Sequence, residues 1–535
     1  MSSSTWRRAA FVASFGAILA AASPAAASAD THVICVGSTP GCVATLDAAL
    51  VSAHDGDTLR LGPGSYAGGV TVSKSVHLVG AGEGRTVIRG GGPVITIAGT
   101  TPALDVSLSQ LTVAGGVATG NGFDSRGGGI DIEPTTDGGV GASVTLTDVT
   151  VRNNRATATT VSDSPSGVLC PSGFCPFARA RGGGIANSGE LTVNRSTVRD
   201  NRVDGALSDA NGGGIFSELG TLTVKSTVVT ANHARPTAIG RFSEGGGIFV
   251  DSGNLTVQRS QVTMNRADLV TSWPVKAQGT LIDMNANSGG IHIGNGSTVI
   301  ISDTVISHNA ISAIDPLGEP LAFDAGMCAC GESSVWMTNT VIEHNRVTAD
   351  VATTQDVGAS GSTLEFDGPA VVTHSRISNN TVSVHSRSGP ASAIGALTIL
   401  NFSDNPGRVF VSDSVIAGNT VRSSSANGTA EAVGAGVFNN GLLELDHVRV
   451  RGNTARAASP NGSSAQGGGI WNGVSISGPP VVLALRHTSI TNNNLSVSPR
   501  GSRQGGGLYT TEPIVRDQSV ITRNHPDNCA GCSLR

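Results

Sequence analysis

Two carboxylates one residue apart, Asp131 and Glu133, follow Asp124 and Arg126 in the stretch 124–133. On a strand, alternate residues share a face, so Asp131 and Glu133 project together. Paired carboxylate oxygens suit a hard cation such as Ca²⁺. The same pair also suits a solvated strand face. A second set is aromatic. Phe216, Phe249, Phe438, Trp471 and Tyr509 each directly follow a Gly-Ile-like dipeptide, and His292 does so in one further copy. With only 13 Phe, 4 Trp and 2 Tyr in 535 residues, five rings in one kind of slot are a concentration. Outward-facing rings there would offer a stacking platform to the flat apolar faces of sugar rings; the other reading is that they stack on one another or lie under loops. A third set is cysteine, in four close pairs: Cys35/Cys42, Cys170/Cys175, Cys328/Cys330 and Cys529/Cys532. An even, paired set in an exported chain reads as disulfides. The single-residue spacer of Cys328/Cys330 requires a sharp backbone turn. Zinc shared between the last two pairs is ruled out by separation, since about five repeats at ~4.8 Å each part them.

What must position these groups is a repeat. Residues 181–203 contain the alternation Leu191-x-Val193-x-x-Ser196-x-Val198-x-x-Asn201, and it recurs to give eleven copies. They end on Asn154, Asn201, Asn232, Asn265, Asn309, Asn345, Asn380, Asn419, Asn453, Asn493 and Asn524. Three residues before each Asn stands Val or Ile, and five before it Ser or Thr in all but two copies. Many copies open on Gly-Gly-Gly-Ile, as at 182–185, 212–215 and 245–248. A fixed unit of this length states architecture directly. Each unit offers three short strands, with Ile185, Leu191, Val193 and Val198 inward by period two. Three strands per turn, each stacked on its own copy, predict an all-β right-handed parallel β-helix of roughly fifteen coils, about 70 Å long at ~4.8 Å per coil. The Asn column is expected to bond amide to amide up the stack and to take the left-handed backbone of a bend. Spacing between successive Asn residues varies from 31 to 47, and the variation falls just after the Asn, so long loops at 156–181, 267–288 and 311–325 are expected to leave from one corner. Arg155, Arg202, Arg266 and Arg346 follow their Asn and form an intermittent basic column.

The expected organisation is a signal peptide over 1–29, with Arg7 and Arg8 before an apolar stretch and Ala27-Ser28-Ala29 as the cleavage site. A single β-helix domain then fills 30–535. Residues 30–103 are its cap and entry coils, 104–524 its repeats and 525–535 a tail. The helical spacing of Leu46, Ala49, Leu50 and Ala53 predicts a short capping helix. A formal charge of −5, with no concentrated basic patch, excludes nucleic acid as a partner. No apolar run beyond the signal approaches the ~20 residues of a membrane span. A secreted or cell-surface monomer without a membrane segment is the expectation.

The pattern resembles the right-handed parallel β-helix superfamily with the pectin-lyase-like fold. Residues 45–100 are similar to its entry, through Asp57-Thr58-Leu59, Gly62-Pro63-Gly64-Ser65-Tyr66 and Leu78-Val79-Gly80-Ala81-Gly82. The Gly-Gly-Gly-Ile and Val-x-x-Asn units resemble those of polymorphic outer-membrane proteins and related adhesins, which typically carry Phe where this chain has Val or Ile. Those proteins end in a membrane barrel, for which the eleven residues after Asn524 leave no room. Superfamily enzymes cut acidic polysaccharides with Ca²⁺ and a base, or with paired carboxylates. Their signatures Asp-Asp, Gly-His-Gly, Arg-x-Pro-x-x-Arg and Trp-x-Asp-His are absent here. The resemblance therefore implies a non-catalytic protein that binds polysaccharide or another cell surface, needing no cofactor beyond a possible Ca²⁺. The alternative is a polysaccharide lyase or glycoside hydrolase whose site lies in the corner loops.

Overall fold

The computed structural model describes residues 32–121, 124–159, 178–206, 208–237, 242–270, 276–277, 280–281, 284–294, 296–315, 320–351, 357–358, 362–400, 407–474 and 481–532. The expected signal peptide lies outside them. So do Cys170 and Cys175, and the disulfide expected between Cys170 and Cys175 is therefore not among the bonds described below. The chain is a parallel β-helix. Its Gly-Ile strands form one sheet fourteen strands deep, close to the expected number of coils, in which Ile185 pairs with Ile215 and Ile215 with Ile248. The Leu-x-Val and Ser-x-Val strands stack likewise, Leu191 on Leu222 and Val198 on Val229. Ile185, Leu191, Val193 and Val198 are all at most 1% exposed, and one apolar cluster runs from Val36 to Leu508 along the axis. At the start, the helix Leu46–Ser52 is capped by the Thr45 hydroxyl, which accepts from the Ala48 amide, and buries Leu46, Ala49 and Leu50 against the first coils.

The Asn column forms the expected ladder. Each side-chain amide donates to the next Asn Oδ1, as in Asn201 to Asn232 and Asn265 to Asn309, both 3.0 Å. The same oxygen also accepts the backbone amide of the Asn below, and the Nδ2 caps a carbonyl of the previous coil, Val151 in the case of Asn201. A second, lighter ladder runs through the hydroxyls, with the Thr227 Oγ1 taking the Ser196 amide and the Ser260 Oγ taking that of Thr227. One expectation is corrected. The ladder Asn is not the left-handed residue; its predecessor is, Asp200 at φ 56° and His308 at φ 56°. A second left-handed corner stands six residues before each Asn, as at Arg195 and Asp303. Fixing the preceding residue turns the Asn side chain inward, where its amide has only protein to bond.

The corner loops are corrected as well. Instead of a loose excursion, the chain leaves the Asn as a strand, Arg202–Ala206 or His233–Thr237, and comes back as a strand, Ser208–Asn211 or Phe242–Glu244. Outgoing strands pair with outgoing and returning with returning from coil to coil, which builds a two-layered fin along the helix. Its seam is small and apolar: Ala158, Ala180, Val203, Ala210 and Ala234 in one stretch, Ala267, Leu269, Ala286, Ile311 and Ala313 in the next. Alanine lets the two layers approach closely, so a modest apolar area suffices to hold them.

Candidate functional site

In the Gly-Ile sheet the middle residue of each strand faces away from the core, toward the base of the fin. Register places these residues in one column. From the first coils it runs Asp131, Ala186, Phe216, Phe249, His292, Cys328, Glu365, Thr398, Phe438, Trp471 and Tyr509. One of the two carboxylates (Asp131), the aromatic residues and one cysteine (Cys328), singled out separately in the sequence, thus share one line.

The aromatic members stack as expected. Phe216 and Phe249 lie 5.4 Å apart at 8°, Phe249 and His292 4.9 Å apart at 7°, and Phe438 and Trp471 4.5 Å apart at 4°. They are not an open platform, however. Phe216, Phe249, His292, Phe438 and Trp471 are buried, and only Tyr509 is half-buried. The fin's returning strands lean over them. Ile394 and Val433 pack on Phe438 and Trp471, the Gln466 side-chain carbonyl accepts from the Trp471 indole at 3.2 Å, and the Arg181 guanidinium lies 5.1 Å above the Phe216 ring. These rings bind the fin to the helix.

At the N-terminal end of the column the paired carboxylates also find protein partners. Arg126 donates to Asp131 at 3.3 Å and contacts Glu218 and Ser188, while Arg181 reaches Glu218 at 3.3 Å and Asp124 at 3.5 Å. Burial pushes the Asp131 carboxyl up to about 6 against the pull of Arg126. Glu133 accepts from the Gly99 amide instead. Asp131 with Glu218, and not the Asp131/Glu133 pair, therefore anchors an arginine network, and among the described residues no set of three ligating side chains forms around Asp131 and Glu133. The basic column exists in register and is neutralised in three of its four members: Arg155 and Arg202 both contact the buried Asp204, and Arg266 shares Asp268 with His233, while Arg346 donates to the Thr348 hydroxyl.

Midway along the column Glu244 stands beside Asn287, whose amide donates to it at 3.1 Å. Burial, with a contribution from Asp251, pushes its carboxyl up to about 7. The folded chain then holds this proton more tightly than the unfolded chain does. The contribution to stability is full below about 4.5 and is lost as pH rises through about 7. Glu244→Gln mimics the protonated form, so the variant should exceed the parent in stability by about 1–3 kcal/mol at pH 8, with the difference vanishing near pH 4. Urea denaturation at both pH values measures it.

The next rungs carry the densest chemistry. His292 is held neutral by burial, which pushes it down to about 4. Cys328 stacks above it and Glu365 above Cys328. Of the four cysteine pairs expected to be bridged, three are joined among the described residues: Cys328 to Cys330, Cys35 to Cys42 and Cys529 to Cys532. The fourth, Cys170 with Cys175, is not placed, because both Cys170 and Cys175 fall outside the described residues. Asp324 and Glu365 are buried, and burial holds both carboxyls well above the usual range.

An open surface lies elsewhere, on the outer face of the Leu-x-Val sheet. Thr145, Thr192, Thr223 and Thr256 stand in line there, followed by Ile300, Trp336, Val371 and Phe410. Trp336 is 49% exposed and Ile300 and Val371 flank it at 42% and 38%. Toward the N-terminal end, on the adjoining Ser-x-Val strands, Arg85, Arg89 and Arg152 line a shallow depression of about 480 Å³ and form no salt bridge among the described residues. The sequence reading passed over Trp336. Its signal was a large aromatic in Val335-Trp336-Met337, at the slot between the two inward residues that four other copies fill with Thr.

No protein-family model matches the chain, and no curated protein is similar to it in sequence. Solved structures similar to it include an alginate lyase, AlyF-OU02, at 11% identity over 95% of this chain and 89% of that one, with a TM-score of 0.30. A pectin methylesterase in complex with a hexasaccharide is 12% identical over 72% and 90%, with a TM-score of 0.23. The PL6 family alginate lyase AlyGC is 10% identical over 89% and 98%, also at 0.23.

Proposed function

We propose that this chain is a secreted or surface-associated β-helix that binds an extended polysaccharide, without cleaving it, along the outer face of its Leu-x-Val sheet. The observation that carries the reading is the exposed Trp336 ring at the centre of the apolar column Ile300–Trp336–Val371–Phe410, on a sheet that cannot bend away. An exposed indole on a rigid surface suits the apolar face of a sugar ring, and each such contact contributes on the order of 1 kcal/mol. The threonine row continues the same line and offers hydroxyls to a chain lying along it. Arg85, Arg89 and Arg152 favour a polymer that carries carboxylates.

The test is retention of the purified protein on gels containing pectin, alginate or glycosaminoglycan. Trp336→Ala is expected to weaken binding about 5- to 10-fold with stability unchanged, because the ring is half exposed. A double variant, Arg89→Ala with Arg152→Ala, should lose affinity for the acidic polymers and become less salt-sensitive. Unchanged retention of both variants, or product release by the parent protein, would defeat the reading.

A further inference from the structure

We propose that Asp324, Cys328, Cys330 and Glu365 form a site for one thiophilic divalent cation, Zn²⁺ in the first instance, with His292 on its adjoining face. The residues arrive there by topology. Cys328 occupies the outward slot of its Gly-Ile-type strand, and Cys330, two residues on, points to the same side by period two. Glu365 occupies the same slot one rung above, and His292 one rung below. Asp324 takes the left-handed position, φ 59°, that Gly182, Gly212 and Gly245 take in other coils, so a carboxylate enters where those coils have no side chain.

The ligating atoms of Asp324, Cys328, Cys330 and Glu365 all lie within 4.8 Å of one another, as do those of His292, Cys328 and Cys330. A tetrahedral zinc shell with bonds of 2.0–2.3 Å has edges of roughly 3.3–3.8 Å, within that spread. A separate observation, buried polar atoms without a partner, points to a ligand at this cluster. Asp324 is 0% exposed, and only its Oδ1 is satisfied, by the Ser362 hydroxyl. Its Oδ2 has no hydrogen-bond partner among the described residues, and neither do Glu365 Oε2 and Thr398 Oγ1 nearby in the column. Among the described residues the charged groups that bear on Asp324 and Glu365 are further carboxyls, including Asp367, which shares a hydrogen bond with Glu365, and no arginine or lysine is among them. Burying carboxyls together without a counter-charge is costly, and a divalent ion supplies the counter-charge and the missing partners at once. Cys330 and Asp367 are half-buried, so the cluster is nearest solvent on their side.

Because Cys328 and Cys330 are joined, the site opens on reduction. A dithiol reductant delivers two electrons and two protons to the S–S bond and is itself oxidised to its disulfide. The two thiols then release their protons to water as the cation binds. The joined pair Cys529/Cys532 belongs to none of the ligand sets found among the described residues and serves as an internal control.

The full chain, with and without prior dithiothreitol treatment, would be loaded with ZnCl₂, dialysed against metal-free buffer and analysed for zinc by mass spectrometry. Thiol state would be read in parallel by alkylation. The expected result is about one zinc per reduced chain and none per oxidised chain, with Co²⁺ giving a thiolate charge-transfer band. Cys328→Ser with Cys330→Ser should abolish both signals, while Cys529→Ser with Cys532→Ser should keep them. Glu365→Gln, a change of one atom that leaves the packing in place, should weaken zinc affinity at least about 10-fold. Reduced protein that holds no zinc overturns the proposal. So does zinc retained equally by the Cys328/Cys330 variant, or a 328–330 bond that stays closed when Cys35–Cys42 opens.

Discussion

Asn309→Leu is expected to destabilise the β-helix by about 4–6 kcal/mol and to split its unfolding into two transitions. Asn309 is 0% exposed and sits midway along the ladder. Its Oδ1 accepts from both the backbone amide and the side-chain amide of Asn265, each at 3.0 Å. Its Nδ2 donates to the Val262 carbonyl at 2.9 Å and to Asn345 Oδ1 at 3.0 Å. Leucine has the same four-atom branched side-chain skeleton with bulkier ends, so no packing is removed from the core. Four buried polar groups, however, lose a partner with no water to replace it. Asn265 Nδ2 keeps the Val229 carbonyl and Asn345 Oδ1 keeps the Asn309 backbone amide, so these two are weakened while a full orphan costs about 1–3 kcal/mol, which sets the range. A solenoid is held by contacts between successive coils, so weakening one interface uncouples the halves on either side. The comparison is Asn524→Leu at the last rung, where the partners are partly exposed and the loss should be below about 2 kcal/mol. Guanidinium denaturation followed by circular dichroism measures both. If the two variants lose the same amount, the ladder is not the strut that couples the coils.

The ladder was legible because every constraint on it recurs in the same place. Burial and pairing admit only Asn at that position, so it appears eleven times in the sequence. The residue just before it carries the bend, yet it could not be found the same way. That position holds Asp200, Ala231, Met264, His308 and Arg523, types with little in common, because it is set by backbone angle while the side chain is free. The fin was hidden for a related reason. Its strands, such as Ser208–Asn211, are short and built of small residues, and their pairing partners lie a whole coil away. The candidate metal cluster was the least legible. His292, Cys328 and Glu365 are 36 or 37 residues apart in sequence and become neighbours only through the coil-to-coil register. The sequence showed each column member as a type in a slot, but not that the fin would close over the slot. Hence the stacking of Phe216 on Phe249, and their lying under the chain that leaves the corner, could be set out as one reading, while the Arg181 guanidinium over Phe216 could not.

Gly214→Ala should cost about 3–4 kcal/mol, several times the cost of the same change at Gly296. Both are glycines in the repeat region, and the two positions separate two reasons for glycine. At Gly296, φ is +67° and nothing lies within 4 Å of an added Cβ, so only the left-handed backbone is penalised, at about 1 kcal/mol. At Gly214 the penalty is space. A Cβ there would meet the Gly247 carbonyl oxygen at 2.6 Å and the Nδ2 of Asn232 at 2.9 Å. Neither neighbour is free to give way. The Gly247 carbonyl accepts from the Ile215 amide, and Asn232 Nδ2 is pinned between Val198 O and Asn265 Oδ1. Relief must come from parting the coils, which strains the ladder and the sheet together and places the cost at the upper end of overpacking. The third glycine of the triplet is thus the complement of the ladder Asn: the one leaves a gap that the other's amide occupies. A double change, Gly214→Ala with Asn232→Ala, checks this. Truncating Asn232 empties the contact, so the added methyl should cost clearly less in that background than in the parent. An equal cost in both would mean that the clash with the Gly247 backbone alone fixes the glycine.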